Sequence, residues 1–106
     1  MESEAMKKYK AQEAKRVEIN LRHLENGVEF VDLYTAYIEE EVEIGRGTVI
    51  GPCVTLKGNT VIGENSIIGG SSFVTEPVPA NTKVMAQNGE LTVQRKDQGE
   101  LWYWEI

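Results

Sequence analysis

From Ala36 onward the sequence repeats every six residues, and this period determines most of what the chain can fold into. The third residue of each of seven hexads is aliphatic: Ile38, Ile44, Ile50, Leu56, Ile62, Ile68 and Val74. The first residue is always small or β-branched: Ala36, Val42, Thr48, Val54, Thr60, Ser66 and Ser72. A strict period of six fits neither an α-helix nor the simple alternation of a hairpin.

The period does fit a chain that forms a short strand and then a corner, three times per coil. Side chains alternate along a strand, so the first and third residues of each hexad point inward together. The sequence therefore predicts a mainly β fold, a single-stranded parallel β-helix over residues 36–78 with about two to three coils. Residues 18 apart should stack, and glycine at the fourth position of four hexads is expected to give the corner its backbone conformation.

The segments on either side of the repeats predict other elements within one domain, 1–106. Residues 4–26 predict an amphipathic α-helix with one apolar face, formed by Ala14, Val17, Leu21 and Leu24. Asn26-Gly27 ends this helix, and Val28 and Phe30 predict a short strand. Residues 79–106 predict an exit loop, a hairpin and an aromatic tail. The hairpin would pair Lys83–Ala86 with Leu91–Gln94 around Asn88-Gly89, and the tail includes Leu101, Trp102, Tyr103 and Trp104.

Composition narrows the function classes. The net charge of −6, with the basic residues mostly on the predicted helix, argues against a nucleic-acid partner. No apolar run approaches the roughly 20 residues of a membrane span, so we expect no membrane partner and a cytoplasmic location. Cys53 is the single cysteine, which excludes an intrachain disulfide and predicts no metal site built on cysteine. We interpret Cys53 as a small residue at a corner of the repeat.

These hexads resemble the hexapeptide-repeat transferase superfamily, whose members form left-handed parallel β-helices and usually trimers. A narrower resemblance covers residues 14–75. The predicted helix ending in Gly27-Val28, then Asp32 and the first hexads, looks like the linker helix and first coils of one family. That family is the bifunctional N-acetylglucosamine-1-phosphate uridyltransferase / glucosamine-1-phosphate acetyltransferase, which has proline where this chain has Leu33. The exit segment 78–84 is similar to the segment that closes the β-helix in serine and sugar acetyltransferases.

The resemblance implies a homotrimer, and outward apolar residues indicate where subunits would meet. Two contacts stay open: Val49 with Ile67, or Tyr37 with Phe73. A neighbouring subunit would cover such residues, because monomers rarely expose large apolar patches.

The resemblance also implies an acetyl-coenzyme A-dependent acyltransferase of amino sugars, with a histidine as general base. The acetyl-transfer and uridyl-transfer residues of the bifunctional family have no counterpart here, and His23 is the only histidine. We therefore assign no catalytic residue, and His23 is the candidate, with a helix-surface role as the alternative. Glu39–Glu41 and Glu43 are either bases or a solvated acidic corner. The coenzyme candidates are Gly69, Gly70, Ser71 and Ser72, whose alternative is a tight corner. The alternative function is a non-catalytic trimerising scaffold or accessory subunit.

Overall fold

The described residues form one long helix followed by ten strands, eight of which are only two residues long. A computed structural model describes residues 1–87 and 90–95 of the chain. The elements are α1 (Glu4–Glu25), β1 (Glu29–Phe30), β2 (Tyr37–Ile38), β3 (Glu43–Ile44), β4 (Val49–Ile50), β5 (Thr55–Leu56), β6 (Val61–Ile62), β7 (Ile67–Ile68), β8 (Phe73–Val74), β9 (Thr82–Gln87) and β10 (Glu90–Arg95).

The short strands stack into three parallel faces, as a β-helix requires. We call the sheet β1-β4-β7-β9-β10 face A, the sheet β2-β5-β8 face B and the pair β3-β6 face C. Residues 18 apart are paired, for example Ile38 with Leu56 and Ile50 with Ile68. The predicted fold, a short left-handed parallel β-helix with an N-terminal helix and a C-terminal hairpin, is confirmed.

The interior is built from the first and third residues of the hexads, as predicted. Of the aliphatic third residues, Ile50, Leu56 and Ile68 have no exposed surface, whereas Ile44 is only partly buried. Polar first residues are buried as well, and Thr48 and Ser66 hydrogen-bond to adjacent coils. The Thr48 hydroxyl donates to the carbonyl oxygen of Gly63 over 3.0 Å and accepts from the amide of Ser66 over 3.2 Å. Hydroxyl groups therefore line one corner of the core without leaving their polar atoms unpaired.

The β-helix is longer at both ends than the predicted range 36–78. On face A, β1 extends the sheet at the N-terminal end by pairing with β4, and β9 extends it at the other end by pairing with β7. Val84 is thereby stacked on Ile68 and is 1% exposed. The strict count of six missed both ends because eight residues separate Phe30 from Ile38 and only four separate Val74 from Val78.

The predicted hairpin is confirmed, with β9 and β10 antiparallel and each strand one residue longer at both ends than expected. The turn at 88–89 and the aromatic residues 101–104 lie outside the described residues.

The predicted reason for glycine at the fourth position is wrong. The left-handed conformation falls instead on the sixth residue of several hexads, with φ of 56–63° at Cys53, Asn65, Ser71 and Asn81. Gly45 and Gly63 are needed for space, because an added Cβ would lie 2.4 Å from the amide nitrogen of Glu64 and 2.2 Å from that of Ala80. Adjacent coils approach so closely at this corner that no side chain fits. Cys53 is an exposed corner residue, as interpreted from the sequence.

Helix α1 closes the open edge of the first coil. Ser3 caps its start, with a hydroxyl that accepts from the amide of Met6, and Gly27, with a φ of +97°, follows the C-cap Asn26. The Asn20 side-chain amide donates to the carbonyl oxygens of Leu33 and Ala36, over 2.9 and 3.0 Å. These bonds satisfy carbonyl groups at an edge that would otherwise invite another strand.

The helix does not bury its apolar face against the β-helix. Leu21 and Leu24 are each 42% exposed, and Ala14 is exposed, whereas Val17 is half-buried. The buried residues of the helix lie on another face: Ile19, Asn20 and His23. Polar side chains are used on this face because they can bond to backbone groups of the coil.

Candidate functional site

His23 lies in the contact between the helix and the first coil. It is 7% exposed, so the interpretation of His23 as a helix-surface residue is wrong. Burial lowers the pKa of the imidazole, and the charge of the adjacent Arg22 lowers that pKa further. Because of both effects, His23 is neutral at pH 7. Its Nε2 atom is buried and has no hydrogen-bond partner in the described part of the protein.

The fold brings His23 together with the acidic residues of the β2–β3 corner. A cavity of about 320 Å³ lies between the end of α1 and this corner, and it is lined by Arg22, His23, Asn26, Glu40, Glu41, Val42, Glu43 and Ile44. Two sets of candidates that are 17 or more residues apart in sequence therefore meet at one place. Glu40 is not a free carboxylate, since its oxygen lies 3.2 Å from the Lys15 ammonium and 3.9 Å from Arg22.

Glu39 lies apart from this cavity. Its carboxylate accepts a hydrogen bond from the amide of Gly58 over 2.7 Å, in the coil above. This bond holds the corner of the second coil, where Gly58 has a φ of +76°. Glu39 thus connects two coils rather than facing His23.

The coenzyme candidates Gly69–Ser72 form a corner between faces A and B. Three of their amides already donate within the chain: Gly69 to Val84 over 2.6 Å, Ser71 to Pro52 over 2.9 Å, and Ser72 back to Gly69 over 3.3 Å. Ser72 is 1% exposed, and its hydroxyl donates to the Gly69 carbonyl oxygen. The corner exposes Ser71 and part of Gly70 to a ligand. Coenzyme binding at these residues stays a prediction.

A further feature of the described residues is a groove between α1 and face B. Its volume is about 490 Å³. Tyr37 and Phe73, both on face B, are 52% and 55% exposed. The Arg16 guanidinium lies 4.6 Å from the ring centre of Tyr37, and the Lys57 ammonium lies 5.9 Å from that of Phe73. Aromatic rings that carry cations on an open face are suited to a protein contact.

The other proposed subunit contact is already covered. Val49 and Ile67 point outward on face A, yet they are 6% and 2% exposed in a single chain. Of the two pairs, only Tyr37 and Phe73 present apolar surface to a neighbouring subunit.

Among the described residues, no group of three or more histidine, cysteine, aspartate or glutamate side chains is placed to hold a metal ion. The described part of the chain also contains no helix long and apolar enough to span a bilayer.

The repeats match those of a known protein family. Residues 41–76 match the family described as bacterial transferase hexapeptide (six repeats). The coils of this chain carry the hexapeptide repeats of that family. The match lies within the coils, and the parallel solenoid of the structure agrees with it.

Curated relatives of this hexapeptide-repeat chain carry the name bifunctional protein GlmU. The chain is 46% identical over 70 residues to the protein from Enterococcus faecalis, an alignment that covers 66% of this chain and 15% of the relative. It is 47% identical over 66 residues to the Clostridioides difficile protein, covering 62% of the chain and 14% of the relative. The Lactobacillus johnsonii protein is 37% identical over 83 residues, an alignment that covers 78% of this chain and 18% of the relative. The chain thus spans less than a fifth of the length of these relatives.

Proposed function

We propose that this chain is an acyltransferase-related assembly module of amino-sugar metabolism, which forms homotrimers and does not itself transfer an acetyl group. The relationship to the bifunctional proteins supports the link to amino sugars. The position of His23 supports the lack of catalysis, and this is the observation that carries the proposal. A general base must come within hydrogen-bond distance of the proton that it removes. The only imidazole of this chain is instead 7% exposed, between the helix and the first coil.

Face B supports the trimeric assembly. Tyr37 and Phe73 each lie one coil from Thr55, on opposite sides of it, so both exposed rings belong to one strip of face B. Burial of a large aromatic side chain contributes about 1.5–3 kcal/mol, and three copies of the strip would be buried in a symmetric trimer. A core of about three coils gains stability from such a contact, because a small domain buries a modest share of its own surface.

Light scattering with size-exclusion chromatography tests the assembly. The wild-type protein should have three times the chain mass of 11.9 kDa. The double variant Tyr37→Ser/Phe73→Ser should lose this mass. Tyr34→Ser is the matched control, because Tyr34 is 66% exposed and lies outside the strands of face B. A monomer at micromolar concentration for the wild type, or a trimer that survives the double variant, would contradict the proposed contact.

A steady-state assay with acetyl-coenzyme A and glucosamine-1-phosphate tests the absence of catalysis. Release of free coenzyme A is followed with a thiol reagent. The proposal expects turnover well below about 1 s⁻¹, the lower end of ordinary enzymes. Turnover at or above that rate would defeat it, whatever the oligomeric state.

A second candidate function is acetyl-coenzyme A-dependent acyl transfer with His23 as base. It is favoured by one observation, the neutral imidazole beside a cavity of about 320 Å³. If the assay detects turnover, His23→Gln separates the two explanations. A drop of about 10²–10⁴-fold is expected for the loss of a general base. An unchanged rate would place the chemistry elsewhere.

A further inference from the structure

The contact between α1 and the first coil contains a group whose charge changes near neutral pH. Ile19, Asn20 and His23 form the buried face of the helix, and they pack against residues at the start of the β-helix. Asn20 holds the contact by donating to Leu33 and Ala36. Arg16 adds a further bond to the Ala36 carbonyl oxygen, over 2.8 Å. The contact therefore depends on a few directed bonds around one buried imidazole.

We propose that His23 makes the docking of α1 onto the β-helix sensitive to acid, so that the helix is bound at neutral pH and released as His23 takes up a proton. A protonated imidazole donates from both ring nitrogens, and Nε2 of His23 has no protein acceptor in this contact. A charge buried without a partner is unfavourable, whereas the released helix exposes the imidazole to water. Protonation therefore favours the released state.

The charged groups around His23 do not reverse this direction. Arg22 faces it from the helix, and Glu40, Glu41 and Glu43 face it from the β2–β3 corner. Arg22 disfavours the imidazolium, and one of the three carboxylates, that of Glu40, is shared with Lys15 and Arg22. All three carboxylates are exposed to solvent, which screens their attraction. Burial is the largest influence on His23 and lowers its pKa.

The direction of the pH dependence follows from linkage. The docked state holds His23 with a lowered pKa, while the released state has the ordinary value of about 6.5. Docking is thus fully favoured above about pH 6.5 and weakens as the pH falls toward the docked pKa. The docking equilibrium changes by up to about tenfold per pH unit in that interval. The chain has one histidine, so this titration belongs to His23 alone.

Hydrogen exchange of the helix amides tests the proposal on the full chain. Most of the stability of a helix in a protein comes from its tertiary packing, so release exposes the amides of α1 to exchange. Protection factors of residues 16–25, corrected for intrinsic exchange, should fall by up to about fivefold between pH 6.5 and 5.5. In His23→Gln they should be independent of pH over that interval. The matched control is the exchanged pair His23→Gln/Gln12→His, which keeps the composition and moves the imidazole to an exposed site on the same helix.

Two results would overturn the proposal. One is a His23→Gln protein, or the exchanged pair, that retains the pH dependence of the wild type. The other comes from an NMR titration of the wild-type imidazole, which needs no variant and remains available if the variants fail to fold. A His23 pKa at or above about 6.5 would mean that docking does not disfavour the proton.

Discussion

Gly63 offers a direct test of how closely successive coils pack. Its own backbone is not in the left-handed region, so alanine is allowed by conformation. Space is the obstacle, because an added Cβ would lie 2.2 Å from the Ala80 nitrogen, 2.5 Å from its Cα and 2.7 Å from the Pro79 carbonyl carbon. All three are backbone atoms, so no side chain can turn away to make room.

Gly58 is the matched control, because its constraint is the reverse. Its φ is +76°, yet no atom lies within 4 Å of an added Cβ. Alanine in the left-handed region costs about 1–2 kcal/mol. The loss of unfolded-chain entropy returns about 0.4–1 kcal/mol, and this applies equally at both sites. Gly58→Ala should therefore reduce the free energy of unfolding by about 0–1.6 kcal/mol.

Gly63→Ala should reduce the free energy of unfolding by considerably more than Gly58→Ala. Overpacking costs about 1–3 kcal/mol. The forced separation of the coils also stretches two hydrogen bonds, from Gly63 to Val78 at 2.7 Å and from Asn81 to Glu64 at 2.9 Å. With about 1 kcal/mol for each bond, the net loss is about 3 kcal/mol. In a domain of this size that corresponds to a fall in Tm of roughly 12–24 °C.

Far-UV circular dichroism during heating and during urea titration measures both variants under the same conditions. The free energy of unfolding should be highest for the wild type, slightly lower for Gly58→Ala and far lower for Gly63→Ala. If Gly63→Ala were as stable as Gly58→Ala, the close approach of the coils at this corner would be wrong.

Two further predictions concern the interior. Thr48→Val keeps the shape of a fully buried side chain but removes both hydrogen bonds of its hydroxyl. It should lower the free energy of unfolding, measured by urea titration, by about 1–3 kcal/mol. Thr55→Val, on the outward side of face B, is the control and should change that free energy little. A Thr48→Val protein as stable as the wild type would argue against a stabilising role of the two hydrogen bonds of the Thr48 hydroxyl. Ile68→Ala removes most of a side chain that has no exposed surface and lies between Ile50 and Val84. It should lower the free energy of unfolding by about 2–5 kcal/mol in the same measurement. A loss under about 1 kcal/mol would contradict the buried placement of Ile68.

The middle of the β-helix could be predicted from the sequence because every hexad reports the same geometry. An inward aliphatic residue at every sixth position leaves one register in which all of them share a core, and the pairs Ile44–Ile62 and Leu56–Val74 follow from it. The helix was predicted for a similar reason, since its caps and periodicity are local signals. Its buried face was not, because hydrophobic periodicity cannot register a contact made by Arg16 and Asn20 with carbonyl groups.

The candidate site was less predictable than the fold. His23 and the corner at Glu40–Glu43 carry no shared spacing, and their meeting depends on the angle at which α1 crosses the first coil. That angle is fixed by Gly27 and by the Asn20 bonds, which become visible only in three dimensions. The lowered pKa of His23 depends on the same arrangement, because burial is its main cause. Sequence could supply the candidates, but not their proximity.

The end of the β-helix shows where counting by six fails, and it supports a final prediction. Val78 bridges to Ile62 after a corner two residues shorter than the others, and Val84 then follows at the regular spacing of six. If the coils ended at residue 78, Val84 would lie on a free hairpin, and Val84→Ala would change stability little. Stacked on Ile68 at 1% exposure, it should instead lose much of the roughly 1.5–3 kcal/mol that a buried valine contributes. Val61→Ala makes the same chemical change at an outward position that is 48% exposed, and it should cost less than about 0.5 kcal/mol. Equal losses in urea titration would mean that the third coil does not close over Ile68.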